Sequence, residues 1–340
     1  MFGALVTLMS TAACPPGRFG DTCELGMELI FGSHRIYDDF KPEDFMDPPR
    51  SASKEINAGE VSGGVKVYGW SAPLDVYERI IREAAESLWT ASNSSLRLVV
   101  EVGVWQGLSA LHLARALKAH TGGGALLAVD TWTGALEFWT GRGGFTRERN
   151  LHFRNGYPQV YYHFLSNAVR SGLAEFVVPF PVTSRLASDF FREKNIEWQR
   201  TGSSSRMMPD VVHLDAAHEE NDVAEDIRLW WPLLRPGGIL LGDDFSHHWP
   251  GLLRAVCAFA TSQGLPLSVD TAKSKKWWIR KPSSPEALNR SHGLGPASRI
   301  LLQRCTAPTR WLHAVANYST SRGGDPCEPF QLGDVPAFTF

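Results

Sequence analysis

The sequence lacks an excess of charge of either sign. Among its 340 residues, 34 Lys and Arg are balanced by 36 Asp and Glu, for a formal net charge of -2. A general nucleic-acid-binding protein usually carries a basic excess, so we expect no nucleic-acid partner. No stretch of about 18 apolar residues occurs, so we expect neither a transmembrane helix nor a membrane partner. The hydrophobic content of 43% suffices for a packed core, which excludes a chain that is disordered throughout.

Cysteine is scarce and unclustered. The five cysteines form no Cys-x-x-Cys pair, which disfavours a zinc ribbon or a thioredoxin-like motif. Cys257 lies in an apolar, helix-like run and is expected to be a buried apolar side chain. Met1 to Ala13 resemble the apolar part of a secretory signal, but no Lys or Arg precedes them. These features favour the cytoplasm and leave the secretory pathway open.

Regular periodicity is confined to the middle of the chain. Residues 1–70 and 283–340 are rich in turn-forming residues, so we predict an irregular N-terminal lead-in and an irregular C-terminal extension. Between them, the pattern predicts strands at 96–102, 125–130, 174–182, 210–215 and 239–244. Helices are predicted at 73–91, 108–119, 158–172, 223–234 and 251–262. Residues 265–270 and 276–281 are predicted to pair as a closing hairpin.

The alternation of strands and helices predicts an α/β fold. Such a pattern is typical of a Rossmann-like, doubly wound sheet that is mostly parallel and has helices on both faces. The closing hairpin would add two antiparallel strands, for seven in all. In sheets of this kind, ligands bind beyond the carboxyl ends of the strands, so the residues that follow each strand are the candidates for a site.

A glycine-containing loop follows the first predicted strand of this region, over 101–109. Gly103 and Gly107 allow a sharp turn and a close approach to a ligand, and the next helix begins with free N–H groups. Trp105 replaces the middle glycine of a G-x-G-x-x-G motif, which disfavours a nicotinamide dehydrogenase. Taken alone, the loop is equally compatible with a tight turn that binds nothing.

Acidic residues follow three further strands. Asp130 is placed to bind ribose hydroxyls, with helix capping as the alternative. Asp215 and the pair Asp243-Asp244 would meet at one edge of the sheet, where like charges repel unless a cation such as Mg²⁺ is present. His218, three residues after Asp215, is a candidate general base near neutral pH; a surface or capping role is the alternative.

These segments resemble the class I S-adenosylmethionine (SAM)-dependent methyltransferases. The resemblance covers about residues 65–282, assigns the methyltransferase domain to 71–282, and depends most on 213–219 and 230–245. The similarity extends to the macrocin-type sugar O-methyltransferases and, more distantly, to catechol O-methyltransferase. It implies SAM as cofactor, bound by Glu101, Gly103, Gln106, Gly107, Ser109, Asp130, Thr131 and, beside Thr183, Ser184.

The same resemblance implies a Mg²⁺ site and a reaction. Asp215, Asp243 and Asp244 match the metal ligands of the metal-dependent enzymes, and His218 with Asp215 falls at the catalytic position. The expected activity is O-methylation of a hydroxyl on a sugar, glycoside or phenolic small molecule. N-methylation, hydroxylase-like chemistry and a non-catalytic binding protein are the alternatives, although a pure binding module needs no carboxylate cluster. The sequence leaves a homo-oligomer open.

Tryptophan is abundant, with 12 residues against 7 Tyr. Trp105, Trp132 and Trp139 come after the first two of these strands, where cofactor and acceptor are expected to meet. The segment 133–158 is predicted to be a substrate lid. Aromatic side chains in and next to this segment are candidates for an acceptor pocket: Trp139, Phe145, Tyr157, Tyr161 and Tyr162. For Tyr161 and Tyr162, a place in the core beneath the helix is an equal alternative.

Overall fold

The computed structural model describes residues 36–37, 40–42, 58–60, 66–69, 71–93, 95–121, 123–194, 197–200, 203–270 and 274–283. Most of the predicted lead-in and nearly all of the predicted C-terminal extension lie outside these residues, as do four of the five cysteines. Within the lead-in, strands β1 (Ala58–Glu60) and β2 (Lys66–Tyr68) pair as a short antiparallel hairpin.

The remaining elements include nine further strands and eight α-helices among the described residues. The strands are β3 (Leu98–Val102), β4 (Ala125–Val129), β5 (Val177–Phe180), β6 (Glu197–Arg200), β7 (Ser203–Arg206), β8 (Val211–Leu214), β9 (Ile239–Gly242), β10 (Ser268–Asp270) and β11 (Lys276–Arg280). The helices are α1 (Leu74–Ser92), α2 (Leu108–Thr121), α3 (Leu136–Thr140), α4 (Arg147–Asn150), α5 (Val160–Arg170), α6 (Ser184–Lys194), α7 (Glu220–Trp230) and α8 (Pro250–Gln263).

Seven strands form one sheet in the order β10-β11-β9-β8-β3-β4-β5. The five strands from β9 to β5 in this order are parallel to one another. β11 runs antiparallel to β9, and β10 antiparallel to β11. This arrangement confirms the predicted doubly wound, mostly parallel sheet and its antiparallel closing hairpin.

Apolar cores cover both faces of the sheet. Helices α1, α2 and α5 pack on one face, and α6, α7 and α8 on the other. Because neighbouring side chains of a strand point to opposite faces, Trp277 joins the second core and Trp278 packs against the first. Trp230 is fully buried under the second face. Part of the tryptophan surplus therefore belongs to the sheet scaffold.

Several elements were not predicted from the sequence: the β1–β2 hairpin in the lead-in, the short helices α3 and α4, helix α6, and the hairpin of β6 and β7. Helix α6 carries charged residues on its outer face and buries only Ala187, Ser188 and Phe191, so its apolar stripe is too short to stand out. The hairpin of β6 and β7 consists mostly of polar residues and lacks the alternation by which a half-buried strand is recognised.

Cys257 departs from its expected state. It is buried as predicted, with 1% of its surface exposed, but it is disulfide-bonded. It is therefore not the free, purely apolar side chain that its helical run suggested.

In the described part of the chain, no helix combines the length and the apolar character that crossing a bilayer requires.

Candidate functional site

A cavity of about 780 Å³ opens at the carboxyl ends of the parallel strands. The chain builds outward from β3 to β4 and β5, then returns to β8 on the other side of β3. The cavity therefore lies at the switch point of the sheet, where ligands bind in doubly wound folds. Most predicted site residues line it: Gly103, Gly107, Ser109, Asp130, Thr131, Ser184, Asp215, His218, Asp243 and Asp244.

The loop after β3 requires its glycines. Gly103 has a φ of +84°, and a Cβ at this position would lie 2.2 Å from the backbone oxygen of Asp215. Gly107 has a φ of +87°, and a Cβ there would lie 2.4 Å from the ring of Phe164. At both positions glycine is required for two reasons: the backbone is left-handed, and neighbouring atoms lie too close for a Cβ. The loop is a tight cradle beside the end of β8.

Asp130 holds this loop in place. Its Oδ2 accepts hydrogen bonds from the backbone N–H of Val104 (2.7 Å) and of Trp105 (2.8 Å), and its Oδ1 accepts one from Trp132 N–H (2.7 Å). A carboxylate offers about four lone-pair positions, so room remains for a further donor such as a ribose hydroxyl. The residue expected to bind the cofactor also shapes the loop that faces it.

Three tryptophans donate hydrogen bonds within and between the loop after β3 and the segment 133–158. Trp132 Nε1–H donates to the carbonyl oxygen of Trp105 (2.8 Å), and Trp105 Nε1–H donates to the carbonyl oxygen of Asn150 (2.9 Å). Trp139 Nε1–H donates to the carbonyl oxygen of Thr133 (2.9 Å). Each of these indole N–H groups has a partner. The Trp105–Asn150 hydrogen bond joins the segment that was predicted to be a lid to the loop after β3.

Glu101 and Gln106 lie near the cavity without lining it. Glu101 is fully buried, and its Oε1 accepts hydrogen bonds from Ser109 Oγ (2.5 Å) and from His213 Nδ1 (2.9 Å). Burial raises the pKa of Glu101 to about 8, although the Ser109 hydrogen bond works against this. Gln106 is buried as well, with its Nε2 at 2.8 Å from His152 Nε2. Glu101 thus links β3 to α2 and β8, and the Gln106 side chain contacts the segment 133–158.

His218 is held from two directions at the cavity wall. Its Nε2 lies 2.9 Å from Asp244 Oδ2, and its ring stacks on Trp249 with centroids 4.0 Å apart. Asp244 has a φ of +58°, a backbone conformation that non-glycine residues adopt rarely and often at functional positions. Burial opposes ionisation of Asp244, but the hydrogen bond and charge of His218 outweigh it and lower its pKa.

The other two carboxylates differ in their partners. Burial, together with the negative charge of Asp243, raises the pKa of Asp215 well above its usual range. Asp243 accepts hydrogen bonds from Asp244 N–H on Oδ1 (2.7 Å) and from Lys276 Nζ on Oδ2 (2.5 Å). Among the described residues, ligand atoms of Asp215, His218 and Asp244 lie within 4.8 Å of one another. The structure thus brings His218, rather than Asp243, to the other two carboxylates.

Ser184 lines the cavity, but its side chain joins two helices. Its Oγ–H donates to Asp226 Oδ1 (2.5 Å), and the same oxygen accepts a hydrogen bond from Trp230 Nε1–H (2.9 Å). Burial raises the pKa of Asp226, and the Ser184 hydrogen bond partly opposes this rise. The resulting pKa is about 6. The hydroxyl therefore joins α6 to α7.

Ser184→Ala is expected to lower the free energy of unfolding by about 1–3 kcal/mol, because two buried polar groups lose a partner. The Ser184 donor favours the ionised form of Asp226, so the loss should be larger at pH 8 than at pH 4 in denaturant titrations. Because the pKa of Asp226 is raised from 3.8 to about 6 on folding, the folded protein binds more protons than the unfolded chain between these values. The contribution of Asp226 to the free energy of unfolding therefore falls as pH rises from 3.8 towards about 6. A loss that is the same at both pH values would contradict this role.

The predicted acceptor aromatics are divided. Phe145 lines the cavity together with Phe138, whereas Trp139, Tyr157, Tyr161 and Tyr162 do not. Sequence reasoning also missed Trp249 and Lys276. Trp249 follows two histidines in a loop, where no periodicity marks it. Lys276 stands at the start of an apolar strand, and only the charge at a strand end could have indicated it.

Comparisons with known proteins agree with this architecture. Residues 100–245 match a family model described as a methyltransferase domain. A search of curated proteins found no match. Among solved structures, the O-methyltransferase NovP is 18% identical with a TM-score of 0.38, over 62% of this chain and 79% of that chain.

Two further solved structures are similar at the same level. CalS11, described as a TDP-rhamnose 3'-O-methyltransferase of calicheamicin biosynthesis, is 15% identical with a TM-score of 0.39, over 61% of this chain and 78% of that chain. An O-methyltransferase from Bacillus cereus in complex with SAH is 16% identical with a TM-score of 0.36, over 61% and 80%. Similarity this low carries no argument about substrate or mechanism.

The family match and the strand order concern the same part of the chain. Residues 100–245, which match the methyltransferase-domain model, contribute parallel strands to the seven-stranded sheet with its antiparallel closing hairpin. The match supports the predicted methyltransferase activity.

Proposed function

We propose that the protein transfers the methyl group of SAM to a hydroxyl of a small molecule, a sugar, glycoside or phenol, with His218 as the base. The observation that carries this proposal is the position of His218. It lines the same cavity as the glycine loop and Asp130, and it is fixed by Asp244 and Trp249. A base in such a place can take a proton from an acceptor next to the bound cofactor.

The glycine loop supports binding of SAM at one side of the cavity. A side chain at Gly103 would collide with Asp215 O, so this backbone is shaped for close approach. Asp130 retains lone pairs for ribose hydroxyls, and Ser109 and Thr131 lie on the same wall. Positioning of donor and acceptor in one cavity is the main source of rate in such a transfer.

The Asp244–His218 pair supplies the proton acceptor. The lowered pKa of Asp244 keeps its carboxylate ionised, so it accepts a hydrogen bond from Nε2–H. In that tautomer, which is assigned from the hydrogen bond, Nδ1 carries the lone pair. The carboxylate orients the ring and stabilises the imidazolium that forms when the acceptor loses its proton, as in other carboxylate–histidine pairs.

In a second version of the proposal, methyl transfer depends on a bound divalent ion. Asp215, His218 and Asp244 are the residues that would hold Mg²⁺, because their ligand atoms lie close together. When bound, the ion would lower the pKa of the acceptor hydroxyl. His218 would then serve as a ligand, so the two versions differ in whether the reaction needs the metal.

Calorimetry with SAM, followed by transfer assays, tests the proposal. We expect a folded sample to bind SAM, and mass spectrometry to find a hydroxylated sugar, glycoside or phenol that gains one methylene on oxygen. Assays with EDTA and with added Mg²⁺ separate the two versions: activity that survives EDTA favours the histidine pair alone. A folded sample that does not bind SAM would contradict the proposal, and methylation on nitrogen alone would replace its acceptor class.

A further inference from the structure

Lys276 is the one lysine of the described residues that is 0% exposed. It reaches this position through the register of the closing hairpin. β11 pairs antiparallel with β9, and Trp277 lies opposite Gly242, so Lys276 lies opposite Asp243. A sheet contact thus places an ammonium group against the acidic end of β9, beneath the cavity.

The ammonium group has a complete set of partners. Nζ lies 2.5 Å from Asp243 Oδ2 and 3.0 Å from His213 Nε2, and 5.1 Å from the centre of the Tyr77 ring. A charged lysine offers donors only, so His213 must accept through Nε2 and donate through Nδ1 to Glu101. Burial lowers the pKa of Lys276, but the electrostatic contributions of Asp243, Tyr77 and Asp215 together outweigh burial, so the pKa is raised.

This contact changes what Asp243 has to offer to a metal. One of its oxygens binds Lys276 and the other accepts Asp244 N–H. A divalent ion on Asp243 would lie close to a fixed ammonium group, and like charges at short distance repel strongly where water is excluded. The close ligand atoms at this edge come from Asp215, His218 and Asp244 instead.

We infer that Lys276 is a built-in counter-ion that removes Asp243 from the metal-ligand set and thereby limits the affinity of the site for divalent cations. The ammonium group of Lys276 neutralises the carboxylate charge of Asp243, which a metal ion bound in the cavity would otherwise neutralise. The inference takes from the proposed function only the choice of site, and it concerns cation binding rather than methyl transfer.

Titration of the full-length protein with Mn²⁺, followed by calorimetry and by the EPR signal of free Mn²⁺, tests the inference without any acceptor. Lys276→Met removes the charge at similar length. We expect Lys276→Met to bind Mn²⁺ at least about 10-fold more tightly than the wild type, because a repulsive charge is lost and Asp243 is released. Asp243→Asn leaves the ammonium group without its carboxylate, so we expect this variant to bind Mn²⁺ about 10-fold less tightly than the wild type through charge alone.

The double variant Lys276→Met/Asp243→Asn is the matched control. It keeps the shape and removes both charges, so its affinity should return to within about threefold of the wild type. Failure of Lys276→Met to gain affinity would overturn the inference, and so would a double variant that binds Mn²⁺ as tightly as Lys276→Met, because Asp243 would then not be the ligand that is released. If Lys276→Met does not fold, Lys276→Gln, which also removes the charge, is titrated in its place and decides in the same way. SAM calorimetry on the same samples shows separately whether the proposed function fails.

Discussion

His218→Asn is expected to lower kcat for methyl transfer by about 10²–10⁴-fold, the range that a positioned general base contributes. The Kd for SAM should stay near the wild-type value, because His218 contacts Asp244 and Trp249 rather than the glycine loop. Steady-state kinetics with the best acceptor and calorimetry with SAM measure the two quantities. A selective loss of kcat is the sign of a group that acts on the reacting proton.

His247→Asn provides the matched control for this variant. His247 is exposed, its ring centroid lies 4.0 Å from that of His248, and it belongs to the loop between β9 and α8 that also carries Asp244 and Trp249. We expect its kcat to remain within about twofold of the wild type. We expect the kcat of Asp244→Asn to lie between those of His218→Asn and His247→Asn. The His218 ring would keep a hydrogen-bond partner but lose the charge that stabilises its protonated form. Retention of wild-type kcat by His218→Asn would remove His218 from the mechanism.

The strand ends explain why much of the cavity could be predicted from the sequence. Gly103, Asp130, Asp215 and Asp244 each follow a buried parallel strand, and parallel strands bring their carboxyl ends to one edge. Local hydrophobic pattern therefore suffices to place all four residues at one cavity. The same logic could not assign their hydrogen bonds. Asp130 bonds three backbone N–H groups of its neighbourhood, and nothing in its local sequence distinguishes that role from binding a ribose.

Lys276 shows where sequence reasoning ends. The hairpin that contains it was predicted, but its partner depends on the register between β11 and β9, and a shift of one residue would turn Lys276 to the other face. The register is fixed by packing: Trp277 lies over Gly242, where a Cβ would come within 2.2 Å of the indole. Such a long-range fit has no local signal, so the predicted ligand set of three aspartates could not anticipate the lysine.

Gly103→Ala is expected to weaken SAM binding by more than about 100-fold, because the loop that faces the cofactor must move away from the end of β8. The new Cβ would lie 2.2 Å from Asp215 O and 2.5 Å from Ala216 Cα, and both are backbone atoms that cannot rotate aside. The positive φ adds a cost of about 1–2 kcal/mol. Calorimetry with SAM and a thermal melt of the same sample separate lost binding from lost folding.

Gly144→Ala separates the collision from the backbone strain. Gly144 has nearly the same φ, +82°, but nothing lies within 4 Å of a Cβ placed there, and it does not line the cavity. This variant should therefore lose about 1–2 kcal/mol of unfolding free energy with an unchanged Kd for SAM. If both glycine variants bind SAM like the wild type, the loop after β3 does not carry the cofactor. If Gly103→Ala stays folded but no longer binds SAM, while Gly144→Ala binds SAM normally, backbone strain is not the cause, because both variants carry it. The contact between the loop after β3 and the end of β8 then shapes the binding site.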